Sequence, residues 1–138
     1  MNFPQVEEIV SDFEAAVWVT LKKLLPQVKI KGCGFHLNQA MFKNIKKIGL
    51  GPQYIRDKQC RQICRQIMSL NLLPKDKIVK RFQGIVEEVN KMENNDKLKD
   101  FCSYVDRQWI KHSIWPPATW SMFMQHRRTN NNAEGSIT

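Results

Sequence analysis

Val28-Lys29-Ile30-Lys31-Gly32-Cys33-Gly34-Phe35-His36-Leu37-Asn38-Gln39-Ala40-Met41 changes its hydrophobic period part-way along, and that change decides the fold class. From Val28 to Lys31 apolar and polar residues alternate, the period of a half-buried strand. Gly32-Cys33-Gly34 then interrupts the alternation as a turn would. Beyond it Leu37, Ala40, Met41, Ile45 and Ile48 recur at helical spacing, with Lys43, Lys46 and Lys47 mostly off the stripe. Gly49 stands where a left-handed cap closes such a helix.

Outward from this stretch the chain reads as mostly α with a short β remnant. Upstream, Val17, Trp18, Leu21, Leu24 and Leu25 predict a helix over 12–25 that Pro26 stops, and Val6 to Val10 suits a second strand. Downstream, helices are expected over about 53–70, over about 75–91 after Pro74, and over about 96–111. From Ser113 the chain turns irregular through Trp115-Pro116-Pro117 and closes on Asn130-Asn131-Asn132-Ala133-Glu134-Gly135. Two strands are too few for an independent sheet, so the segment reads as part of a larger unit.

The 138 residues are about one domain's worth of chain. With 42% apolar and 25% charged residues, disorder and fibrous repeats are excluded. No apolar run approaches the roughly 20 residues that cross a bilayer, so no membrane partner is expected. Met1-Asn2-Phe3-Pro4 followed by Glu7 and Glu8 lacks the features of a secretory signal, and Cys33, Cys60, Cys64 and Cys102 are expected to stay reduced.

The net charge is +9, and residues 21–82 hold 15 Lys or Arg against Asp57 and Asp76 alone, a local balance of +13. A basic middle between mildly acidic ends suits a polyanion such as DNA or RNA, although solvated lysine faces would give the same count. Lys43, Lys46, Lys47, Arg56, Lys58, Arg61 and Arg65, with Arg127 and Arg128 further on, are the candidate phosphate contacts. Tyr54 is the only aromatic read among them, which favours backbone contact over base stacking.

Two carboxylates and one thiol–imidazole pair could carry chemistry. Asp12 stands between a strand end and a helix start, where a rigid backbone can present a metal ligand. Ser11-Asp12-Phe13-Glu14 also fits a capping box that would merely begin a helix. Glu134 follows Asn131 with the same ambiguity. Cys33 and His36 are of zinc-ligand type, but a structural zinc needs four ligands, and only Cys60 and Cys64 are on offer to complete the set, so no zinc site is expected.

Taken in order, these pieces resemble the second half of the transposase domain of Mutator-like elements (MULE). Asp12-Phe13-Glu14-Ala15-Ala16 is similar to that family's Asp-Phe-Glu segment, and Gly32 to Ala40 to its Gly-Cys-x-Phe-His-x-x-Gln-Ala segment. Gly49-Leu50 with Tyr54, Leu72-Leu73-Pro74, Tyr104 with Trp109, Pro116-Pro117 before Trp120, and Arg128-Thr129-Asn130-Asn131 with Glu134-Gly135 follow in the family's order. The resemblance spans nearly the whole chain. It implies a partial ribonuclease-H-like α/β fold with a helical insertion: residues 1–50 the end of the catalytic core, 51–112 the insertion, and 113–138 the segment leading to the last carboxylate.

It further implies an Asp, Asp, Glu triad in which Asp12 is the second member and Glu134 the third. Such a triad would hold Mg²⁺, or Mn²⁺, for metal-dependent DNA strand cleavage and transfer in the nucleus, in an enzyme that can act as a homo-oligomer. The departures are specific. Family members carry the first aspartate on an upstream strand, and no Asp occurs from Met1 to Ser11; Trp120-Ser121 replaces the usual Trp-Asn; and Glu134-Gly135 is followed by Ser136-Ile137-Thr138 rather than by an aromatic residue, a His or Asn, and a helix. The polypeptide is therefore expected to be a fragment or degenerate copy, inactive alone. The alternative is a non-catalytic basic helical module that binds nucleic acid.

Overall fold

A computed structural model describes residues 7–124. The described part is mainly helical with one small parallel sheet. Strand β1 (Glu8–Ser11) pairs in parallel with β2 (Lys29–Gly32), and helix α1 (Ala15–Leu24) makes the crossover between them. The register sets Ile9 opposite Ile30 and Ser11 opposite Gly32. Parallel neighbours need a crossover of a dozen or more residues, and the 17 residues from Asp12 to Val28 supply it.

Helix α1 starts later than the 12–25 pattern suggests. Ser11 is spent on the ladder, where its carbonyl takes the Cys33 N–H at 3.3 Å, so the Ser11–Glu14 capping box does not form. The N-cap is Glu14, with no side-chain hydrogen bond to the helix. This frees Asp12 from a capping role and leaves it directly beyond the carboxyl end of β1.

Helix α2 (Gly34–Lys47) follows β2 after one residue and ends as its glycine suggests. Gly49 adopts φ +81°, its N–H bonds to the Lys46 carbonyl and the Leu50 N–H to that of Ile45, the paired pattern of a Schellman cap. Both Ile45 and Leu50 are fully buried, which is the apolar contact that accompanies such a cap. The helix expected over 53–70 is two helices, α3 (Gly51–Arg56) and α4 (Lys58–Met68). Asp57 breaks it by taking an extended conformation and accepting from the N–H groups of Gln59 and Cys60, the short polar side chain competing with a continuous helix.

Helix α5 (Lys75–Asn90) buries Ile78, Phe82, Ile85 and Val89 on one face, as its spacing requires. Helix α6 (Asp96–Val105) continues into a π-helical turn, Asp106–Ile110, that carries Trp109 into the core. The chain then returns to the sheet. Ser121 Oγ donates to the Leu73 carbonyl (2.6 Å), the Met122 N–H to that of Asn71 (2.6 Å), and Lys31 Nζ on β2 to that of Ala118 (2.7 Å). Burial lowers the pKa of that lysine from its ordinary 10.5.

An aromatic cluster joins the sheet to the helices. The Phe13 ring lies 4.8 Å from Trp109 and 5.6 Å from Trp115, both edge-on, and 6.0 Å from Trp18 in a stacked arrangement. Gly32 lies directly beneath Phe13: a β-carbon there would overlap the ring. Since the ring is held on three sides, Gly32→Ala is expected to destabilise the fold by about 1–3 kcal/mol, as overpacked cores do. A melting temperature equal to wild type would show instead that Phe13 is free to move.

Candidate functional site

In a parallel βαβ unit both strands end on the same edge, and open α/β sheets bind ligands outside the carboxyl ends of their strands. Here that edge carries Asp12 after β1, and Cys33 and His36 after β2. The fold thus brings together two sequence candidates 24 positions apart. His36 Nδ1 lies 2.7 Å from Asp12 Oδ1, with 42% and 63% of the two side chains exposed. Nδ1 itself is buried and does not make an aligned hydrogen bond to the carboxylate, so the two groups meet as a close polar contact.

Asp12 is held by its backbone as well. Trp18 Nε1 donates to its carbonyl at 2.7 Å, and so does the Glu14 N–H at 2.9 Å. Phe13, the next residue, is locked in the aromatic cluster. The result is an exposed carboxylate on a backbone fixed from several sides, with Oδ2 taking no hydrogen bond from the described residues. A hard carboxylate so placed fits a hard divalent cation that keeps most of its waters. Among the described residues no three Asp, Glu, His or Cys side chains gather into a metal-binding group. Glu134, Arg127 and Arg128 lie outside the described residues.

The cysteines separate by environment. Cys33 is half buried and Cys60, Cys64 and Cys102 are buried. Burial raises the thiol pKa of all three, Cys102 to about 11. Cys60 and Cys64 are core residues on α4 rather than partners aimed at the Cys33 and His36 edge.

The basic residues are spread over α2, α3 and α4. Lys43 and Lys46 share with His36 a shallow depression of about 590 Å³ on the outer side of α2, and Lys47 is exposed on the same helix. Arg56 lines a different depression, with Gly49, Asp57 and Lys97. Arg61 Nη1 donates to the carbonyls of Tyr54 (3.1 Å) and Ile55 (3.0 Å) and pins the corner between α3 and α4. Lys58 and Arg65 are exposed on α4.

Tyr54 is also not the only aromatic beside the lysines, as the sequence suggested. Phe35 is 67% exposed and Phe42 37% exposed, both on α2. Their spacing of seven, with Gln39 between, was the available signal that they share a face off the buried stripe. Met122 was missed for another reason. Its sulfur packs on Gly34, so a β-carbon at Gly34 would meet it, and nothing in the local pattern links residues 88 positions apart. No helix among the described residues is long and apolar enough to cross a membrane. Comparison of the chain with protein-family models, with curated proteins and with solved structures gives no match.

The thiol environments give a direct check. The thiolate is the reactive form, so raised pKa values and burial protect Cys60, Cys64 and Cys102 at neutral pH. Alkylation of the native protein followed by mass spectrometry is expected to mark Cys33 alone, and all four cysteines after unfolding. The sign with pH also follows. Cys102 ionises near 9.0 when unfolded and near 11 when folded, so its contribution to stability is intact below about pH 9 and is lost as pH climbs toward 11.

Proposed function

We propose that the chain is part of a DDE-type DNA transposase of the Mutator-like kind, a ribonuclease-H-like core interrupted by the helical block α3 to α6. The observation that carries this reading is the position of Asp12: at the carboxyl end of a strand in a parallel βαβ unit, fixed by Trp18 and Phe13, and paired with His36 from the helix after the next strand.

Two further features support the reading. Parallel sheets are normally covered on both faces, yet Val10 on β1 is 62% exposed, as expected if more of a larger fold packs there. After the helical block the chain comes back to the start of α2, with Met122 against Gly34.

In this reading Asp12 and Glu134 would be ligands to Mg²⁺ or Mn²⁺, which when bound supplies charge stabilisation to the attacking and leaving oxygens of phosphodiester transfer. The chain's own part is to hold the Asp12 carboxylate at a fixed place, through Trp18 on its carbonyl and His36 on Oδ1, and to bind phosphates through Lys43, Lys46 and Lys47. Binding of DNA, association with further copies and a nuclear location belong to the same proposal. The alternative, a basic module without catalysis, would need the lysines but not the anchored carboxylate.

Duplex binding followed by fluorescence anisotropy tests the assignment. Affinity should fall steeply with salt, and the combined Lys43→Glu, Lys46→Glu and Lys47→Glu variant should flatten the logarithmic salt slope by roughly 2 to 3. Unchanged binding would point to a helical piece that contacts protein. Because the resemblance leaves the first aspartate of the triad unmatched, the 138-residue chain is expected to show no Mg²⁺-dependent strand cleavage. Turnover abolished by Asp12→Ala would contradict that expectation.

A further inference from the structure

The outer face of α2 carries two rows of side chains that phosphate binding alone does not explain. At 3.6 residues per turn, Phe35, Gln39, Phe42 and Lys46 fall within one narrow arc, and His36, Lys43 and Lys47 in the arc beside it. The opposite side of the helix holds the buried Leu37, Met41 and Ile45. Aromatic and cationic groups therefore run in parallel along one helix, starting at the residue that touches Asp12. No acidic residue occurs anywhere in α2.

The rings are exposed but not loose. Lys46 Nζ sits 5.1 Å from the centroid of Phe42, and Tyr54 approaches the same ring edge-on at 5.6 Å. Phe35 tilts against the His36 ring at 5.8 Å and, with Phe42 and Met68, lines an open apolar depression. Seven residues separate Phe35 from Phe42, about 10 Å along the helix, close to three stacked nucleotides at about 3.4 Å each. A duplex hides the faces of its bases, whereas an unpaired strand presents them to exposed rings while its phosphates meet lysines.

We propose that this face of α2 is a track for single-stranded DNA, in which Phe35 and Phe42 stack bases, Lys43, Lys46 and Lys47 hold phosphates, and the strand is led to Asp12. The choice of DNA rests on the reading above; the choice of a single strand rests on the paired rows. A partner must offer flat apolar faces and regularly spaced anions together, which an unpaired strand does along its whole length.

The test compares a labelled oligo-dT of about twelve nucleotides with a blunt duplex on the full chain. Phe35→Ala removes an exposed ring with little effect on folding, and Phe42→Leu keeps the apolar packing against Tyr54 while removing the π-face. Each should weaken oligo-dT binding at least about fivefold and leave duplex binding unchanged. Phe35→Trp should retain binding and show indole quenching when oligo-dT is added. Three results would each overturn the inference: oligo-dT affinity unaffected by both Phe variants, equal loss on duplex and oligo-dT, or a fall in the protein's mass in solution on Phe35→Ala, which would mean that a second copy covers the face. Oligo-rU bound about tenfold more tightly than oligo-dT would overturn the assignment to DNA. Oligo-dT binding that depends, like duplex binding, on the lysines but not on the rings would sink this inference alone; oligo-dT binding that depends on the rings, with no duplex binding, would sink the transposase reading and leave the track standing.

Discussion

The seat of Phe13 on Gly32 is the constraint on which the rest of the structure depends. A two-stranded parallel sheet has too little contact of its own to persist in water. It persists here because the residue after Asp12 is driven between three tryptophans, two of them, Trp109 and Trp115, delivered by the far end of the helical block. Burial of rings of this size contributes several kcal/mol. Only glycine at position 32 lets the ring come so close to β2.

The same contact has a chemical consequence. By fixing Phe13 it fixes the backbone of Asp12, and Trp18 reinforces this through the Asp12 carbonyl. A carboxylate needs such support to hold a metal in one geometry, because a ligand free to rotate loses its advantage over water. His36 completes the arrangement from α2, and the Met122 contact at Gly34 brings the last described turn of chain to the same place. The helical block is thus both a detour in sequence and the source of the packing that holds the edge together.

What the sequence made legible was whatever depends on period. The strand before Gly32, helix α2 with its Gly49 cap, and α5 follow from spacing and cap chemistry, and the structure has all three. Features set by competition between local and tertiary demands were not legible. Ser11 could cap a helix or extend a ladder, and the ladder won because β2 was present to pair with. Asp57 could ride within a helix or break it, and its side chain found two N–H groups. The site was legible only in part: Asp12, Cys33 and His36 could be singled out as residue types, but the contact between Asp12 and His36 comes from the parallel register. Phe35 and Phe42 were overlooked because an apolar residue in a helix is first taken for core, and the corner that Arg61 closes between α3 and α4 was hidden because the break at Asp57 was.

In the proposed function the Asp12 edge, with Glu134, would hold a divalent cation. Titrating the isotope-labelled chain with Mn²⁺ and following paramagnetic broadening in its amide spectrum reads this directly, even for weak binding. The account predicts broadening centred on Asp12 and His36 that extends to the amides around Glu134, all of it removed by Asp12→Asn. Broadening at Asp12 with full intensity retained around Glu134, or a centre of broadening elsewhere on the molecule, would contradict it.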